Sequence, residues 1–597
     1  MKTILVSVGN LPLGGEFPIR VQSMTNTSTG DIEGTIQQCI RIAKSGADYV
    51  RITVPSVKDA EYLKQIRQGL LERGYTFPII ADIHFNPQVA EIAATIVEKV
   101  RINPGNFADT KKFQLTEYSE EQYQQELEKV REKFLRLINI CKEHKTAIRI
   151  GVNHGSLSDR IISRYGDTPV GMAESAMEFL RICVRESFYH VVLSMKASNT
   201  IVMVQATRLL VHKMMEENML FPLHLGVTEA GEGEDGRLKS AAGIGALLAD
   251  GIGDTIRVSL TEEPENEIPV AKKLVENFTL EKDKDGVAPL LPYPVNPFEF
   301  SRRATMQVLN IGNGQVPVVI CDFSHAEIHK ETFAAAGWFG EKEGWTFSDQ
   351  SADMVYLAGN VNNLTIPRQK TALVDYRQWL SLKDTGTNIF PLLNAEEYLN
   401  SGIKTNGAHF ILIQSIELLN RLIEKLKADD LAVLVIEAGF HAQRGMAALL
   451  MNQNCTTPVI FKRNYSELQL EDFQLKSAAD LGGLFIDGLG DGIWLSGSAK
   501  TGIKNINQTA FGILQATRAR ISKTEFIACP SCGRTNFNII ETFSQIREKT
   551  SHLKGLKIGI MGCIVNGLGE MADADYGYVG AGKGKINLYK AKTLVKK

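Results

Sequence analysis

The chain has 597 residues, of which 44% are apolar and 22% are charged, and its formal net charge is −2. This length exceeds what one hydrophobic core supports, so two to four domains are expected. The charge gives no general basic field for nucleic acid, and no apolar run reaches the roughly 18 residues that span a bilayer. The opening "MKTILVSVGNLPLGG" lacks the pattern of a secretory signal or transit peptide. We therefore expect a globular cytoplasmic protein without nucleic-acid or membrane partners.

Short β-branched runs alternate with longer helical patterns through the first 280 residues. The predicted strands are Ile19–Met24, Tyr49–Val54, Pro78–Asp82, Lys99–Asn103, Ala147–Val152, His190–Lys196, Pro222–Val227 and Thr255–Leu260. Eight βα repeats predict an α/β fold of the (β/α)8 TIM-barrel type. An open doubly wound sheet is the alternative, but the count of eight and the lack of a Gly-rich first turn favour the barrel.

Five of the predicted strands carry a cationic residue in or at the end of an apolar run. These residues are Arg51, Arg101, Arg149, Lys196 and Arg257. Strands of a parallel sheet are buried on both faces, and an unpaired buried cation is costly. Any one of them could belong to a structural ion pair, but five that converge at the carboxyl ends of barrel strands predict a shared anion. Guanidinium groups bind phosphate oxygens in bidentate fashion, so we expect a small substrate with two phosphates.

The predicted strand ends also carry other polar residues. Asp82 and His84 lie in "ADIHF", Asn103 in "NPGN", Asn153 in "VNHGS" and Glu229 in "VTEAGEGEDG". His84 taken alone could be a loop histidine with satisfied hydrogen bonds. A carboxylate such as Glu229 at the rim of a cationic bowl either opposes anion binding or transfers protons.

The middle of the chain, residues 283–520, follows the charged and Pro-rich stretch "EKDKDGVAPLLPYPVNP", which is typical of a linker. Its predicted strands are Val316–Cys321, Met354–Leu357, Ala372–Asp375, Asn388–Leu392, His409–Ile413, Ala432–Ile436, Pro458–Lys462 and Gly492–Leu495. The segments "LLADGIGDTIRVSL" and "LFIDGLGDGIWLSG" align without a gap, and Arg257 of the first corresponds to Trp494 of the second. We predict a degenerate TIM-like barrel that serves as a spacer, with a second catalytic site as the alternative.

The cysteines divide into two groups. Cys39, Cys141, Cys183, Cys321 and Cys455 are scattered through apolar segments and are expected to be buried thiols, whereas three lie in the last seventy residues: Cys529, Cys532 and Cys563. A structural zinc with His552 as fourth ligand is one interpretation. The other is an iron–sulfur cubane with three thiolate ligands, in which Glu570, seven residues after Cys563, is a displaceable oxygen ligand. The rival functions are therefore a non-redox zinc enzyme, such as a barrel hydrolase or aldolase, and a protein that only binds a sugar phosphate.

Several motifs together carry a resemblance to a known family. They include "VQSMTNT", "ADIHF", "RINPGN", "RIGVNHGSL", "LGVTEAG", "GIGDTIRVSL", "FIACPSCGR" and "GCIVNGLGE". With these motifs in order, the sequence resembles the 4-hydroxy-3-methylbut-2-enyl diphosphate synthases of the non-mevalonate isoprenoid route. The match covers residues 1 to about 280 and 520–597, and the insertion is like that of the larger three-domain form.

The resemblance implies a reductive ring opening of 2-C-methyl-D-erythritol 2,4-cyclodiphosphate with loss of water. Two electrons would pass from ferredoxin or flavodoxin through a [4Fe–4S] cluster. By motif, Cys529, Cys532, Cys563 and Glu570 match the cluster ligands, and Glu229 matches a proton-transfer carboxylate. Arg51, Arg101, Arg149, Lys196 and Arg257 match the diphosphate clamp, with Asn103, Asn153, Asp82 and His84 around the substrate.

This organisation predicts three domains: a substrate barrel (1–282), an inserted spacer (283–520) and a C-terminal α/β iron–sulfur domain (521–597). We expect a monomer or homodimer. In the shorter family members the cluster domain caps the barrel of the partner subunit. Here the insertion is expected to let one chain's cluster domain close over its own barrel.

Overall fold

The computed structural model describes residues 2–107, 118–280, 292–341, 344–359, 366–382, 388–403, 405–582 and 584–597. The chain divides into two compact units. One comprises Met1–Glu276 with Thr524–Lys597, and the other comprises Asn277–Lys523. Residues 281–291 of the predicted linker lie outside the described residues, and the three predicted domain boundaries stay predictions.

The first unit begins with a hairpin, β1 (Val6–Val8) and β2 (Leu11–Leu13), followed by eight parallel strands. Strands β3 to β10 are Arg20–Met24, Tyr49–Thr53, Ile79–Asp82, Lys99–Ile102, Ala147–Asn153, Val191–Lys196, His224–Leu225 and Thr255–Ile256. Their hydrogen-bonding order is β8-β7-β6-β5-β4-β3-β10-β9. A parallel bridge between Leu193 and Leu223 joins the two ends of this order. The closed ring confirms the predicted TIM barrel.

Helices alternate with these strands around the barrel. Helices α1 to α10 are Ile32–Lys44, Val57–Glu72, Pro87–Ala94, Pro104–Phe107, Glu120–His144, Asp159–Tyr165, Pro169–Arg185, Thr200–Glu216, Gly233–Ala249 and Glu267–Leu280, the last preceded by a 3-10 turn at Pro264–Asn266. Local sequence sets their starts. Ser56 caps α2, and Thr168 with Pro169 begins α7, because a side-chain oxygen and a residue without an N–H both suit a helix N-terminus.

The hairpin that the sequence analysis did not predict closes the base of the barrel. Val6, Val8 and Leu13 are fully buried against Tyr49 and the interior apolar residues Ile80, Ala147 and Val192. A largely apolar layer therefore fills the amino-terminal end of the barrel interior.

The second unit contains a closed barrel with the strand order β11-β14-β15-β16-β17-β18-β19-β20 and a separate β12–β13 hairpin. Strands β11 to β20 are Val318–Asp322, Trp338–Glu341, Gly344–Phe347, Met354–Tyr356, Thr371–Asp375, Ile389–Asn394, His409–Ile413, Ala432–Glu437, Val459–Asn464 and Gly492–Ser496. Helices α11 to α17 are Lys330–Ala335, Tyr376–Leu382, Ala395–Asn400, Ile416–Lys427, Phe440–Asn452, Leu470–Ile486 and Ile503–Ala516. All eight predicted strands of the middle segment are barrel strands here.

The two barrels repeat one local design at the aligned segments. Asp254 Oδ2 accepts a hydrogen bond from Leu223 N at 2.8 Å, and Asp491 Oδ2 accepts one from Val459 N at 3.0 Å. Thr3 Oγ1 donates to the first aspartate at 2.7 Å, and Thr305 Oγ1 donates to the second at 3.1 Å. These matching contacts support an internal duplication. At the position of Arg257 the second barrel has Trp494, which is fully buried in an apolar core.

The C-terminal module is a five-stranded sheet in the order β21-β22-β23-β24-β25. The strands are Glu525–Ala528, Lys557–Met561, Tyr576–Gly582, Lys585–Lys590 and Thr593–Lys596, with α18 (Ile539–Thr550) and α19 (Ile564–Glu570). The first three strands are parallel and the last two are antiparallel additions. Cys529 and Cys563 follow shortly after the carboxyl ends of β21 and β22. Across the described residues, the helices are all too short or too polar to cross a membrane.

Candidate active site

A cavity lies between the carboxyl ends of the first barrel's strands and the cysteine module. Both walls belong to the first compact unit. The barrel wall contributes Met24, Arg51, Asp82, His84, Arg101, Asn153, Lys196, Thr228, Glu229, Arg257 and Ser259. The module wall contributes Cys529, Pro530, Ser531, Cys532, Arg534, Met561, Gly562, Cys563, Val565, Gly567 and Glu570.

Asp82, at the end of β5, is the centre of a buried network of cations. Its carboxylate lies 2.8 Å from Arg51 Nη2 and 3.3 Å from Arg101 Nη1. Arg534 Nη1 from the module also contacts it at 3.3 Å. Burial alone would raise the pKa of Asp82, but the cations Arg51 and Arg101 outweigh burial and hold that pKa well below its usual value. Asp82 is therefore an anion that orders the surrounding guanidinium groups.

His84 completes this network as a neutral imidazole. Arg101 Nη1 lies 2.6 Å from His84 Nε2, which accepts its hydrogen bond when the ring is neutral. Burial, together with Arg101 and Arg534, lowers the pKa of His84 to about 3. His84 therefore holds Arg101 in place without adding charge to the cavity.

The five cations predicted to bind the diphosphate differ in whether a carboxylate of the protein balances their charge. Arg257 donates to both oxygens of Glu267, each at 2.9 Å, so it has a buried carboxylate partner on α10. In the described part of the chain, Nε and Nη1 of Arg149 have no hydrogen-bond partner. Burial and neighbouring cations lower the pKa values of Arg149 and Lys196 well below their usual range. Arg257 thus has its own carboxylate, whereas Arg51 and Arg101 share the single carboxylate of Asp82 with Arg534, and binding of an external anion by the five cations stays a prediction.

Glu229 and Glu570 form a carboxyl pair across the two walls. Burial and Glu570 raise the pKa of Glu229 well above its usual value, and burial raises that of Glu570. Asn153 Nδ2 donates to Glu570 Oε1 at 2.7 Å. Glu229 itself adopts φ 49°, a left-handed conformation that costs a non-glycine residue energy and is concentrated at functional sites. At neutral pH this pair holds a proton.

The three cysteines line the module wall with free, partly exposed thiols. Cys563 precedes α19 as its N-cap, and Ser531 between the other two has φ 72°, which turns the loop tightly. Burial and the Cys532 thiol raise the pKa of Cys563 to about 12, and burial with the neighbouring thiols and Glu229 raises that of Cys529 further. Mutual repulsion of this kind shows that the sulfurs share one electrostatic environment.

The three cysteines and Glu570 fit one of the two metal interpretations better than the other. Within the described residues, no group of three or more His, Cys, Asp or Glu side chains is arranged to hold a single metal ion. His552, the fourth ligand of the zinc interpretation, is exposed after α18 and does not line the cavity. Three thiols and one carboxylate around a common space match the ligands of a larger cluster.

Close packing joins the two walls. The α-carbons of Gly155 and Gly569 face each other so tightly that a Cβ on Gly155 would lie 2.3 Å from the Gly569 carbonyl oxygen. Elsewhere along the contact, Lys239 Nζ pairs with Glu525 at 3.4 Å and both side chains are buried. Ala230 and Ala528 form a parallel β-bridge. The module is therefore seated on the barrel of its own chain.

The structure brings most of the predicted site residues into one cavity, with two exceptions. Arg149 is buried below the cavity wall, 1% exposed. Asn103 does not line the cavity; its Oδ1 accepts from Gly105 N at 3.2 Å, in the turn that starts α4. This contact satisfies an N–H of the helix start, whereas Asn103 Nδ2 has no hydrogen-bond partner among the described residues, and its substrate role stays a prediction.

Sequence reasoning missed two cations. Arg534 was within the quoted motif "CPSCGR", but its partner Asp82 lies 452 residues earlier in the chain. Lys99 begins β6, where it is fully buried with its Nζ 4.5 Å from the centre of the Tyr49 ring. The strand "KVRINP" contained the signal for Lys99, which was overlooked beside Arg101.

Comparison with known proteins gives a consistent result. The family model described as the GcpE TIM-barrel domain matches residues 3–272. The model described as the GcpE protein C-terminal domain matches residues 525–597.

Similar curated proteins extend over the whole chain. A protein of Phocaeicola vulgatus named 4-hydroxy-3-methylbut-2-en-1-yl diphosphate synthase (flavodoxin) is 50% identical over 99% of this chain and 94% of its own length. The protein of the same name from Bacteroides thetaiotaomicron is 50% identical over 100% of this chain and 95% of its own length. The protein of Oryza sativa subsp. japonica named 4-hydroxy-3-methylbut-2-en-1-yl diphosphate synthase (ferredoxin), chloroplastic, is 42% identical over 100% of this chain and 84% of its own length.

Proposed function

Because the chain belongs to the GcpE family of 4-hydroxy-3-methylbut-2-en-1-yl diphosphate synthases, an oxidoreductase family of isoprenoid biosynthesis, we propose its reaction in detail. The substrate is 2-C-methyl-D-erythritol 2,4-cyclodiphosphate, and the product is the linear allylic diphosphate. Two electrons enter, a ring C–O bond to the diphosphate and a C–OH bond break, a C=C bond forms, and water leaves.

A single observation supports the proposal: Arg51, Arg101, Lys196 and Arg257 line one wall of the cavity, and three thiols with Glu570 line the other. A doubly phosphorylated ring supplies the negative charge that Arg149 and Lys196 lack from the protein. The reducing centre on the opposite wall is then in reach of the carbon–oxygen bonds of the ring. Neither wall alone could carry out the reaction, because one binds the diphosphate and the other supplies the electrons.

The clamp residues divide the work of binding. Lys196 and Arg149 attract the diphosphate because their charge is not matched by a carboxylate. Asp82 and Glu267 hold Arg51, Arg101 and Arg257 in fixed orientations, so that their remaining N–H groups are organised before the substrate arrives. Asn153 and His84 complete the polar wall.

The residues present fit a [4Fe–4S] cluster, which Cys529, Cys532, Cys563 and Glu570 would hold. Such a cluster supplies electrons at low potential and, through a carboxylate ligand that is readily displaced, an open iron position. The position of the three thiols and Glu570 on one cavity wall supports this assignment.

Glu229 supplies a proton in this account. Its buried carboxyl stays protonated near neutral pH because burial and Glu570 disfavour its charged form. The proton on Glu229 is therefore available to the hydroxyl oxygen that leaves as water. Asn153 Nδ2 donates to Glu570 Oε1 at 2.7 Å, which holds the Glu570 carboxyl beside that of Glu229.

We also propose that the active site is completed within one polypeptide, with ferredoxin or flavodoxin as electron donor. The buried Lys239–Glu525 pair and the Arg534–Asp82 contact support intrachain closure. The second unit acts as a spacer; its apolar barrel interior, with Trp494 in place of an arginine, favours this role over catalysis.

Anaerobic turnover tests the proposal. Protein purified without oxygen should be brown, contain about four irons per chain, and convert the cyclic diphosphate when reduced by a viologen dye. A colourless protein with one zinc per chain would instead support the non-redox enzyme. Iron-loaded protein that binds the substrate without converting it would support the binding protein.

A further inference from the structure

The last strands of the C-terminal module carry a concentrated positive charge. Residues 576–597 contain six lysines and no aspartate or glutamate, in a chain whose net charge is −2. Those in the described residues are all exposed: Lys585, Lys590, Lys592, Lys596 and Lys597. We call β24 and β25 with their connecting residues, 585–596, the lysine hairpin.

Apolar side chains are exposed among these lysines. Leu588 on β24 is 37% exposed, and Leu594 and Val595 on β25 are 39% and 66% exposed. Tyr576 of the neighbouring β23 is 46% exposed. A mixture of basic and apolar groups is typical of surfaces that bind an acidic protein weakly, since charge directs the encounter and apolar contacts stabilise it.

The lysine hairpin lies close to the cysteines in the same sheet. β22, which ends just before Cys563, pairs with β23, and β23 pairs with β24. Two strand spacings separate β22 from β24, a distance of about 10 Å. Met561, two residues before Cys563, is opposite Val579 on β23, so the carboxyl end of β23 lies beside the cysteines. Lys585 pairs with Gly582 at this same end of β23.

The backbone segments between the lysine hairpin and Cys563 lie unusually close together. A Cβ on Gly580 of β23 would lie 2.3 Å from the carbonyl oxygen of Gly562, the residue before Cys563. Only glycine permits this approach. The hairpin is therefore connected to a cluster ligand through two directly apposed backbone segments.

We propose that the lysine hairpin is the surface on which an acidic electron-donor protein docks. This inference rests on the proposed function, because it assumes that electrons enter through the cysteine module. The barrel covers the other side of the module through Glu525, Arg534 and Glu570, so the donor approaches from the sheet edge. Docking is transient and salt-sensitive.

An alternative explanation is that lysines merely protect the edge strand β25 from pairing with other chains. That explanation accounts for Lys596 on the edge but not for Lys590 on β24, which pairs with Tyr576 on one side and Thr593 on the other. It predicts aggregation after lysine removal, without any change in donor affinity.

The test compares two reductants on the iron-loaded full-length enzyme. The variant Lys585→Gln/Lys590→Gln/Lys596→Gln should show a KM for a bacterial flavodoxin raised about tenfold, with weaker salt dependence. Its turnover with a reduced viologen dye should equal that of the wild type. The matched control Lys64→Gln/Lys129→Gln/Lys133→Gln, on exposed positions of α2 and α5, should leave both values unchanged.

Results other than the expected ones reject either the docking proposal or the proposed function. An unchanged KM for flavodoxin, or an equal change in the control, overturns the docking proposal, as does aggregation with unaltered donor kinetics. Absence of turnover with both reductants in the wild type overturns the proposed function instead. If the triple variant fails to fold, carbodiimide cross-linking of the wild-type enzyme to flavodoxin decides: cross-links at the hairpin lysines support the proposal, and cross-links elsewhere reject it.

Discussion

Arg534 of the cysteine module donates hydrogen bonds to Asp82 of the barrel, from Nη1 to the carboxylate at 3.3 Å and from Nη2 to the backbone oxygen at 3.0 Å. Both side chains are almost completely buried. Because Asp82 also holds Arg51 and Arg101, this contact couples the position of the cysteines to the order of the anion clamp. We therefore expect seating of the module to order the proposed substrate site.

Replacement Arg534→Gln should lower kcat/KM by about 10- to 100-fold, since a charge-assisted buried hydrogen bond contributes about 1.5–3 kcal/mol. Iron content should stay at the wild-type value because Arg534 is not a ligand. Steady-state kinetics with a viologen reductant and an iron assay measure both. Arg547→Gln is the control, since Arg547 contacts Glu232 only at 3.8 Å on the exposed part of α18; equal losses in the two variants would refute the coupling.

Two clamp variants should change stability in opposite directions. Arg149→Met removes an uncompensated buried cation and should raise the free energy of unfolding by about 1–2 kcal/mol while abolishing turnover. Arg257→Met leaves the Glu267 carboxylate buried without its partner and should lower the same free energy by about 3–5 kcal/mol. Urea unfolding without substrate measures both. A loss of stability in Arg149→Met would contradict the account of the clamp.

Acid should destabilise the barrel through His84. Its pKa is about 3 in the folded protein, below the usual 6.5, so at intermediate pH the unfolded chain binds a proton that the folded chain does not. The stabilising contribution is complete above pH 6.5 and is lost as pH falls towards 3, amounting to about 2 kcal/mol by pH 5. Urea unfolding at pH 7 and pH 5 should show a smaller acid loss for His84→Gln than for the wild type. Equal losses would mean that His84 is protonated in the folded state.

Ligand variants should separate cluster assembly from chemistry. Cys563→Ser should lose most of its iron and visible colour, because one of three thiolates is removed. Glu570→Ala should keep about four irons per chain but turn over at least tenfold more slowly, since the carboxyl pair with Glu229 is broken. Iron assays and visible spectra of anaerobic preparations distinguish the two. Full iron in Cys563→Ser would exclude it as a ligand.

Mixing experiments test closure within one chain. Neither Cys563→Ser nor Lys196→Ala is expected to be active alone, because one lacks a cluster ligand and the other a clamp cation. An equimolar mixture should remain inactive, since each chain seats its own module on its own barrel through the Lys239–Glu525 pair. Substantial recovery of activity on mixing would indicate that modules are shared between subunits.

The barrel strands were predictable because periodic burial is a local property of the sequence. Tyr49–Thr53 and His409–Ile413 were found at or within one residue of their predicted bounds. The strand predicted at Pro222–Val227 is reduced to His224–Leu225, since a short strand between loops has few regular hydrogen bonds to extend it. The β1–β2 hairpin was missed because its three-residue strands are too short to show alternation.

The site was less predictable because it depends on distant pairings. The motifs identified the cations, but Glu267 as the partner of Arg257 and Arg534 as a partner of Asp82 follow only from the closed fold. Asn103 was assigned to the substrate by its motif, whereas the backbone turn uses its side chain. Residue type predicts chemistry, and only the packing decides which charges are already neutralised.

The central claim is that one chain holds a cyclic diphosphate on cations opposite an iron–sulfur cluster, and a crystal structure of the anaerobic protein with this substrate tests it most directly. The account predicts phosphate oxygens on Lys196 and the cavity arginines Arg51, Arg101 and Arg257, and a cluster bound by Cys529, Cys532 and Cys563 of the same chain facing the ring. Phosphates bound elsewhere, or three cysteines around a single zinc, would contradict it.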